Sequence, residues 1–169
     1  MTQTKRIVIG LVVVIVLVGA VLLIDTLRRG RSATPAAEGE PTLTPGSIPI
    51  RVDGRLVGGF SPADLEGLEQ ASFVDAEEGK TQEGWLLRDV LLLHVDAGEL
   101  GPDAQITVIS SSRDKSAELT WAEVEEEANT VMFDLSGRGT LKLVSKLEGL
   151  DTRDDWVQDV DGIEIVTGG

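Results

Sequence analysis

Residues 7–24 read IVIGLVVVIVLVGAVLLI, a run without a charge or a strongly polar side chain. As a helix rising about 1.5 Å per residue it reaches roughly 27 Å, close to the ~30 Å hydrocarbon core of a bilayer. In water so much Val and Ile leaves helix and strand equally open. In lipid every peptide group has to be satisfied within its own segment, so the run is expected as a transmembrane helix. It is longer than the about 7–15 apolar residues of a cleaved signal peptide, and no small-x-small site precedes the polar flank. The expectation is an uncleaved single-pass anchor over 7–24 behind a short tail, 1–6, with the rest of the chain held at the cell membrane.

Lys5 and Arg6 flank the run on one side and Arg28, Arg29 and Arg31 on the other, so the distribution of cations does not decide its orientation. The following chain is more informative. Residues 25–46 are expected as a flexible linker, because SATPAAEGEPTLTPG, from Ser32 to Gly46, has no apolar period and reads as a solvated spacer. That character suits exported chain, so the C-terminal domain is expected outside the cytoplasm. A tether of this kind raises the domain's effective concentration near other membrane proteins.

Residues 47–169 are enough for one core. The chain carries 15 Lys and Arg against 29 Asp and Glu. Five of those cations (Lys5, Arg6, Arg28, Arg29, Arg31) and Asp25 flank the apolar run, which leaves 10 cations against 28 acids beyond Arg31, a net −18. Such a domain is repelled by nucleic acid and by anionic lipid, and its partners are neutral or basic proteins, cations or neutral small molecules. The acidity also keeps it soluble. There is no cysteine, which removes disulfides, thiolate zinc sites, iron–sulfur clusters and cysteine nucleophiles together.

Apolar alternation on both sides of Asp53-Gly54 predicts a hairpin over Ile48–Val52 and Arg55–Gly58 with a two-residue turn. Ser61-Pro62-Ala63-Asp64 predicts a capped short helix with Leu65 and Leu68 inward. Ala71–Val74 reads as a strand, and EEGKTQEG at Glu77–Gly84 as a turn or exposed loop. WLLRDVLLLHV, from Trp85, places Leu86, Val90 and Leu93 at helical spacing and predicts a buried helix. Ala104–Ser110 and Lys115–Leu119 pair around a Ser-Ser-Arg-Asp loop. Thr120 and Glu123 form a capping box that opens another helix. Thr130–Leu135, Thr140–Val144, Trp156–Val157 and Ile163–Val166 complete the strands. Single helices among short strands argue for an α+β fold.

The order of FSPADLEGL at Phe60, GWLLRDVLL at Gly84, TVISSSRDKSAEL at Thr107, and GRGTLKLV with WVQDVDGIEI at the end resembles the molybdopterin-binding domain of the sulfite oxidase family, over nearly all of residues 47–169. The resemblance implies a β-rich α+β fold built on a mixed sheet. It also implies molybdenum held by a pterin dithiolene and one cysteine just before the tryptophan-led helix. Here the corresponding stretch, Ser72 to Glu83, offers no sulfur, and a hard carboxylate or hydroxyl is a poor substitute for a thiolate. The family's His-Gly and Pro-rich segment before the closing strand is also missing, since FDLSG runs straight into RGTLKLV. The resemblance is therefore to a degenerate member. No catalytic residue, metal ligand or cofactor is expected, and a retained molybdopterin belongs only to the alternative below.

Arg113 and Lys115 in the hairpin loop, and Arg138 and Lys142 near the closing strands, lie where the resemblance places groups around the pterin phosphate, as do Lys146 and Arg153. The first four are the candidate anion pocket, guanidinium groups suiting phosphate; the alternative is that they balance neighbouring acids. His94 is expected to be partly charged beside the last carbonyls of its helix. Glu123, Glu125, Glu126 and Glu127 read as the solvated face of one helix. Asp151, Asp154, Asp155, Asp159 and Asp161 miss the calcium-loop spacing and read as solvated turns.

Together these features predict a non-catalytic interaction or accessory module that binds a protein partner in a membrane assembly, with the Glu77–Gly84 loop as a candidate contact. The alternative is a pterin or small-anion binding protein, serving as a molybdenum-independent oxidoreductase accessory. Protease added to intact cells or spheroplasts should digest the domain, whereas complete protection would reverse the orientation.

Overall fold

The computed structural model describes residues 41–168. The expected transmembrane helix at 7–24 and most of the linker lie outside them; no described helix is long and apolar enough to cross a membrane. Ile48–Val52 (β1) and Arg55–Phe60 (β2) pair antiparallel, and Asp53 and Gly54 both take positive φ, 49° and 78°, as a type I′ turn requires. A bulge between Ile50 and Arg51 sharpens the bend. One 3₁₀ turn follows at Pro62–Leu65, where the Asp64 carboxylate accepts from both the N–H and the hydroxyl of Ser61, at 2.7 Å each, and Leu65 is fully buried. Leu43 belongs to this domain rather than to the spacer, since a Cβ built on Gly59 would lie 2.9 Å from its Cδ2.

Two five-stranded sheets contain the remaining strands: Gln70–Val74 (β3), Thr81–Leu86 (β4), Gln105–Ser110 (β5), Lys115–Thr120 (β6), Met132–Leu135 (β7), Leu141–Val144 (β8), Val157–Gln158 (β9) and Gly162–Val166 (β10). The first sheet has the order β2-β1-β10-β5-β6, in which the β1–β10 contact is parallel; the second, β3-β4-β7-β8-β9, is antiparallel throughout. Alternation sends Ile50, Ile106, Val108, Ile163 and Ile165 of the first sheet and Trp85, Phe133, Leu141, Leu143 and Val157 of the second into one core. Each such side chain contributes about 1.5–3 kcal/mol on burial. The other face of the second sheet carries a smaller cluster of Phe73, Met132, Val144 and Trp156.

This architecture corrects the expected α+β fold. Among the described residues the only α-helices are two of five residues each, Leu87–Leu91 (α1) and Trp121–Glu125 (α2), and the β-rich domain is built on two sheets, one mixed and one antiparallel, around a shared core. The helix expected from Trp85 fails because the backbone of Trp85 and Leu86 is claimed by β4, paired with Phe133 and Met132 of β7. α1 buries Leu87, Val90 and Leu91, and beyond it Leu92 and Leu93 are left exposed. Pairing of β4 with β3 absorbs half of the expected loop at Glu77–Gly84: Thr81 to Gly84 run as strand, and only the four residues before them form a turn. The acidic helix is also shorter than expected, since α2 stops at Glu125 and a 3₁₀ turn takes Glu127–Asn129, although the Thr120–Glu123 capping box forms.

Gly84 permits the β4–β7 contact, because a Cβ there would sit 1.8 Å from the carbonyl oxygen of Phe133. Gly84→Ala is expected to cost about 3 kcal/mol, at the upper end for overpacking, as measured by urea unfolding. Gly67→Ala, which meets nothing within 4 Å, should shift stability by less than about 0.5 kcal/mol.

Candidate functional site

The chain passes from the second sheet to the first over residues 159–161, between β9 and β10. Asp159 takes a positive φ of 56° to make the turn, a conformation that Asp tolerates better than most residues. Two consecutive amides then bond to opposite sheets, Val160 N–H to the Leu141 carbonyl at 3.0 Å and Asp161 N–H to the Ile109 carbonyl at 2.9 Å. The Asp159 carboxylate completes the stitch. Its Oδ2 accepts from Arg113 Nε at 2.7 Å, with Nη2 at 2.6 Å, and its Oδ1 accepts from Thr140 Oγ1 at 2.7 Å and faces Arg138 Nη2 at 3.5 Å. Ser110 Oγ donates to the Asp159 carbonyl at 3.0 Å, and the Asp161 carboxylate accepts from the Ser111 amide at 3.0 Å. The hydrogen bond from Thr140, followed by those from Arg113 and the nearby guanidinium charges, holds the Asp159 carboxyl below the usual carboxylate range.

A second polar cluster lies on the outer face of the other sheet. Lys142 Nζ is 2.9 Å from Asp134 Oδ2, donates to Gln82 Oε1 at 2.9 Å and sits 5.0 Å above the ring of Trp156. Gln82 passes the chain on to Asp75, donating to its Oδ2 at 2.9 Å, while Asp75 Oδ1 accepts from the Glu78 amide at 2.6 Å. Register brings these groups together: Lys142 pairs with Asp134, and Gln82 with Phe73, so their side chains share one face. The Lys142 and Asp134 side chains are 18% and 16% exposed, enclosed enough for the pair to be costly to break.

The four candidate cations are thus divided. Arg113 and Lys115 line one cleft of about 240 Å³, together with Arg153, Asp154, Trp156 and Gln158. Arg138 meets Arg113 through Asp159, and Lys142, outside the cleft lining, is held by Asp134 and Gln82 over the Trp156 ring. Within the cleft Lys115 donates to the Asp154 carbonyl, and Arg153 pairs with Glu78. His94 also departs from expectation. Its ring packs over Gly58 and stacks on Phe60 at 6.5 Å, and burial pushes its pKa down against a smaller upward pull from Asp64. Among the described residues no three His, Asp or Glu side chains are placed to hold a metal ion.

Asp159, Asp75 and Gln82 are the residues that sequence reading passed over. The spacing of Asp159 reads as a solvated turn, although it bonds groups from two segments, the β5–β6 hairpin and the turn before β8, and Gln82 is hidden in a polar run that reads as loop. Alternation over Thr81 to Leu86, with Gln82, Gly84 and Leu86 on one face, was the available signal.

Lys142→Met is expected to lower stability by about 2 kcal/mol, because Asp134 and Gln82 lose their shared partner; urea unfolding measures it. Asp159→Asn tests the stitch through its pH dependence. The folded pKa is depressed, so the carboxylate's contribution is present above the unfolded value and is lost as pH falls through the folded one. Its Tm should therefore fall below wild type at pH 7, and the gap should close below about pH 4. In comparisons with known proteins, no family model and no curated protein matches this chain.

Proposed function

We propose that the chain is a membrane-anchored, non-catalytic interaction module whose acidic domain lies outside the cytoplasm and binds a protein partner in a membrane assembly. The observation that supports this reading best is the fate of the candidate cations: Arg113, Arg138 and Lys142 are bound to carboxylates of the domain itself, and Lys115 to a backbone carbonyl. Groups engaged in this way hold the sheets together rather than waiting for substrate. The apolar run at 7–24 and the spacer after it supply what a tethered binder needs.

The second reading, a pterin or small-anion binder, is favoured by the cleft that Arg113, Lys115 and Arg153 share beside Trp156, whose buried indole N–H has no partner among the described residues. A bound anion there has to displace Asp159 or the Asp154 carbonyl from its cation, which weakens the site. Pull-down of tagged full-length protein in mild detergent, against a variant lacking residues 47–169, should recover a partner that depends on the domain. Absence of any such partner, together with binding of inorganic phosphate that Arg113→Ala abolishes, would replace this reading with the second.

A further inference from the structure

The first sheet ends at β6, whose inner edge pairs with β5 from Lys115 to Thr120 without a register shift. The hydrogen bond from Trp121 N–H to the Ala104 carbonyl, at 2.8 Å, fixes the alternation along that ladder. Lys115, Ala117 and Leu119 direct their peptide groups toward β5, and Ser116, Glu118 and Thr120 direct theirs to the outer edge. Thr120 N–H is taken by Glu123 Oε2 at 2.7 Å. The N–H and C=O groups of Ser116 and Glu118 have no partner among the described residues. Natural sheets usually blunt such an edge with a bulge, a proline or an outward lysine. β6 has neither bulge nor proline, Ser116 and Glu118 are exposed, and the charge at Glu118 turns the edge away from acidic strands while leaving it open to a cationic one.

Beside this edge runs a cleft of about 390 Å³, lined also by residues 147–150, Asp154 and Asp155. Leu147 and Leu150 give it an apolar floor, while Glu118, Glu148, Asp154 and Asp155 place carboxylates along it. Its one cation, Lys115, is occupied by the Asp154 carbonyl. A strand added to a sheet edge gains affinity from main-chain hydrogen bonds and specificity from alternate side chains. Charge selects the guest here. A second copy of this acidic domain and an anionic lipid surface are both repelled, and a cationic segment is attracted.

We propose that the outer edge of β6 receives an extended Lys- or Arg-bearing segment of a protein partner as an added strand, pairing with the peptide groups of Ser116 and Glu118 and setting its cations against Glu118, Glu148 and Asp155. This rests on the interaction reading above and names its surface and the chemistry of its partner.

Full-length protein in detergent micelles is titrated into a fluorescein-labelled octapeptide alternating Lys and Val, read by fluorescence anisotropy. Three comparisons are expected to weaken binding at least tenfold: Glu in place of Lys in the peptide, N-methylation of its two central residues, which removes a donor from each edge, and the Glu118→Lys/Glu148→Lys protein. Glu66→Lys/Glu69→Lys changes the net charge equally at exposed positions outside the cleft and should alter binding less than threefold. Equal loss in both double variants, or undiminished binding of the N-methylated peptide, overturns the proposal in favour of diffuse attraction. Self-association in sedimentation velocity that Glu118→Lys abolishes assigns the edge to a second copy and overturns it as well. In the pull-down, a domain-dependent partner retained by Glu118→Lys/Glu148→Lys sinks this surface but leaves the interaction reading standing. Absence of any domain-dependent partner sinks both.

Discussion

The stitch at Asp159 sets the arrangement of everything near the candidate site. Two sheets with one shared core still have to be held in relation to one another at their margins, and here a short crossing segment does so with consecutive amides bonded to opposite sheets. The carboxylate then gathers the tip of the β5–β6 hairpin through Arg113 and the turn before β8 through Thr140. An exposed pair such as Arg138–Asp159 adds little by itself. The half-buried Arg113 contact, shared with Thr140 on one carboxylate, fixes geometry that single surface pairs do not, because hydrogen bonds in a network reinforce one another.

That use of charge bears directly on function. A pocket for a phosphate needs guanidinium and ammonium groups whose partners are supplied by the ligand. In this domain the same groups are already committed to Asp159, Asp134 and the Asp154 carbonyl. Among the described residues the Ser116 and Glu118 peptide groups on the outer edge of β6 have no partner, and the chemistry available there is recognition by backbone pairing and by carboxylate charge. The membrane tether proposed above would raise the local concentration of such an edge near other membrane proteins, so that modest contacts would suffice.

Local signals were legible where chain neighbours decide the outcome. Asp53-Gly54, Ser61-Asp64 and Thr120-Glu123 each form the turn or cap that their chemistry specifies, and the β5–β6 hairpin closes around Asp114 in the left-handed region. The fold class was not legible, because WLLRDVLLLHV satisfies a helical period as well as a strand that passes into a short helix. Pairing with β7, more than forty residues away in the chain, decided between them. Pairing of β4 with β3, where Gln82 faces Phe73, turned Gln82 from a loop residue into a buried link between Asp75 and Lys142. The candidate cations were identifiable as scarce groups in an acidic chain, but their partners depend on the crossing from β9 to β10, which no local pattern announces.

The central claim, that the outer edge of β6 presents peptide groups free to pair with an added strand, is tested most directly by residue-resolved amide hydrogen exchange on the full-length protein. The Ala117 and Leu119 amides should exchange slowly and those of Ser116 and Glu118 quickly, within a single strand, and the fast pair should slow when a basic extended peptide is added. Uniformly slow exchange from Lys115 to Leu119 in the free protein would contradict the account, because it would show the outer edge already paired.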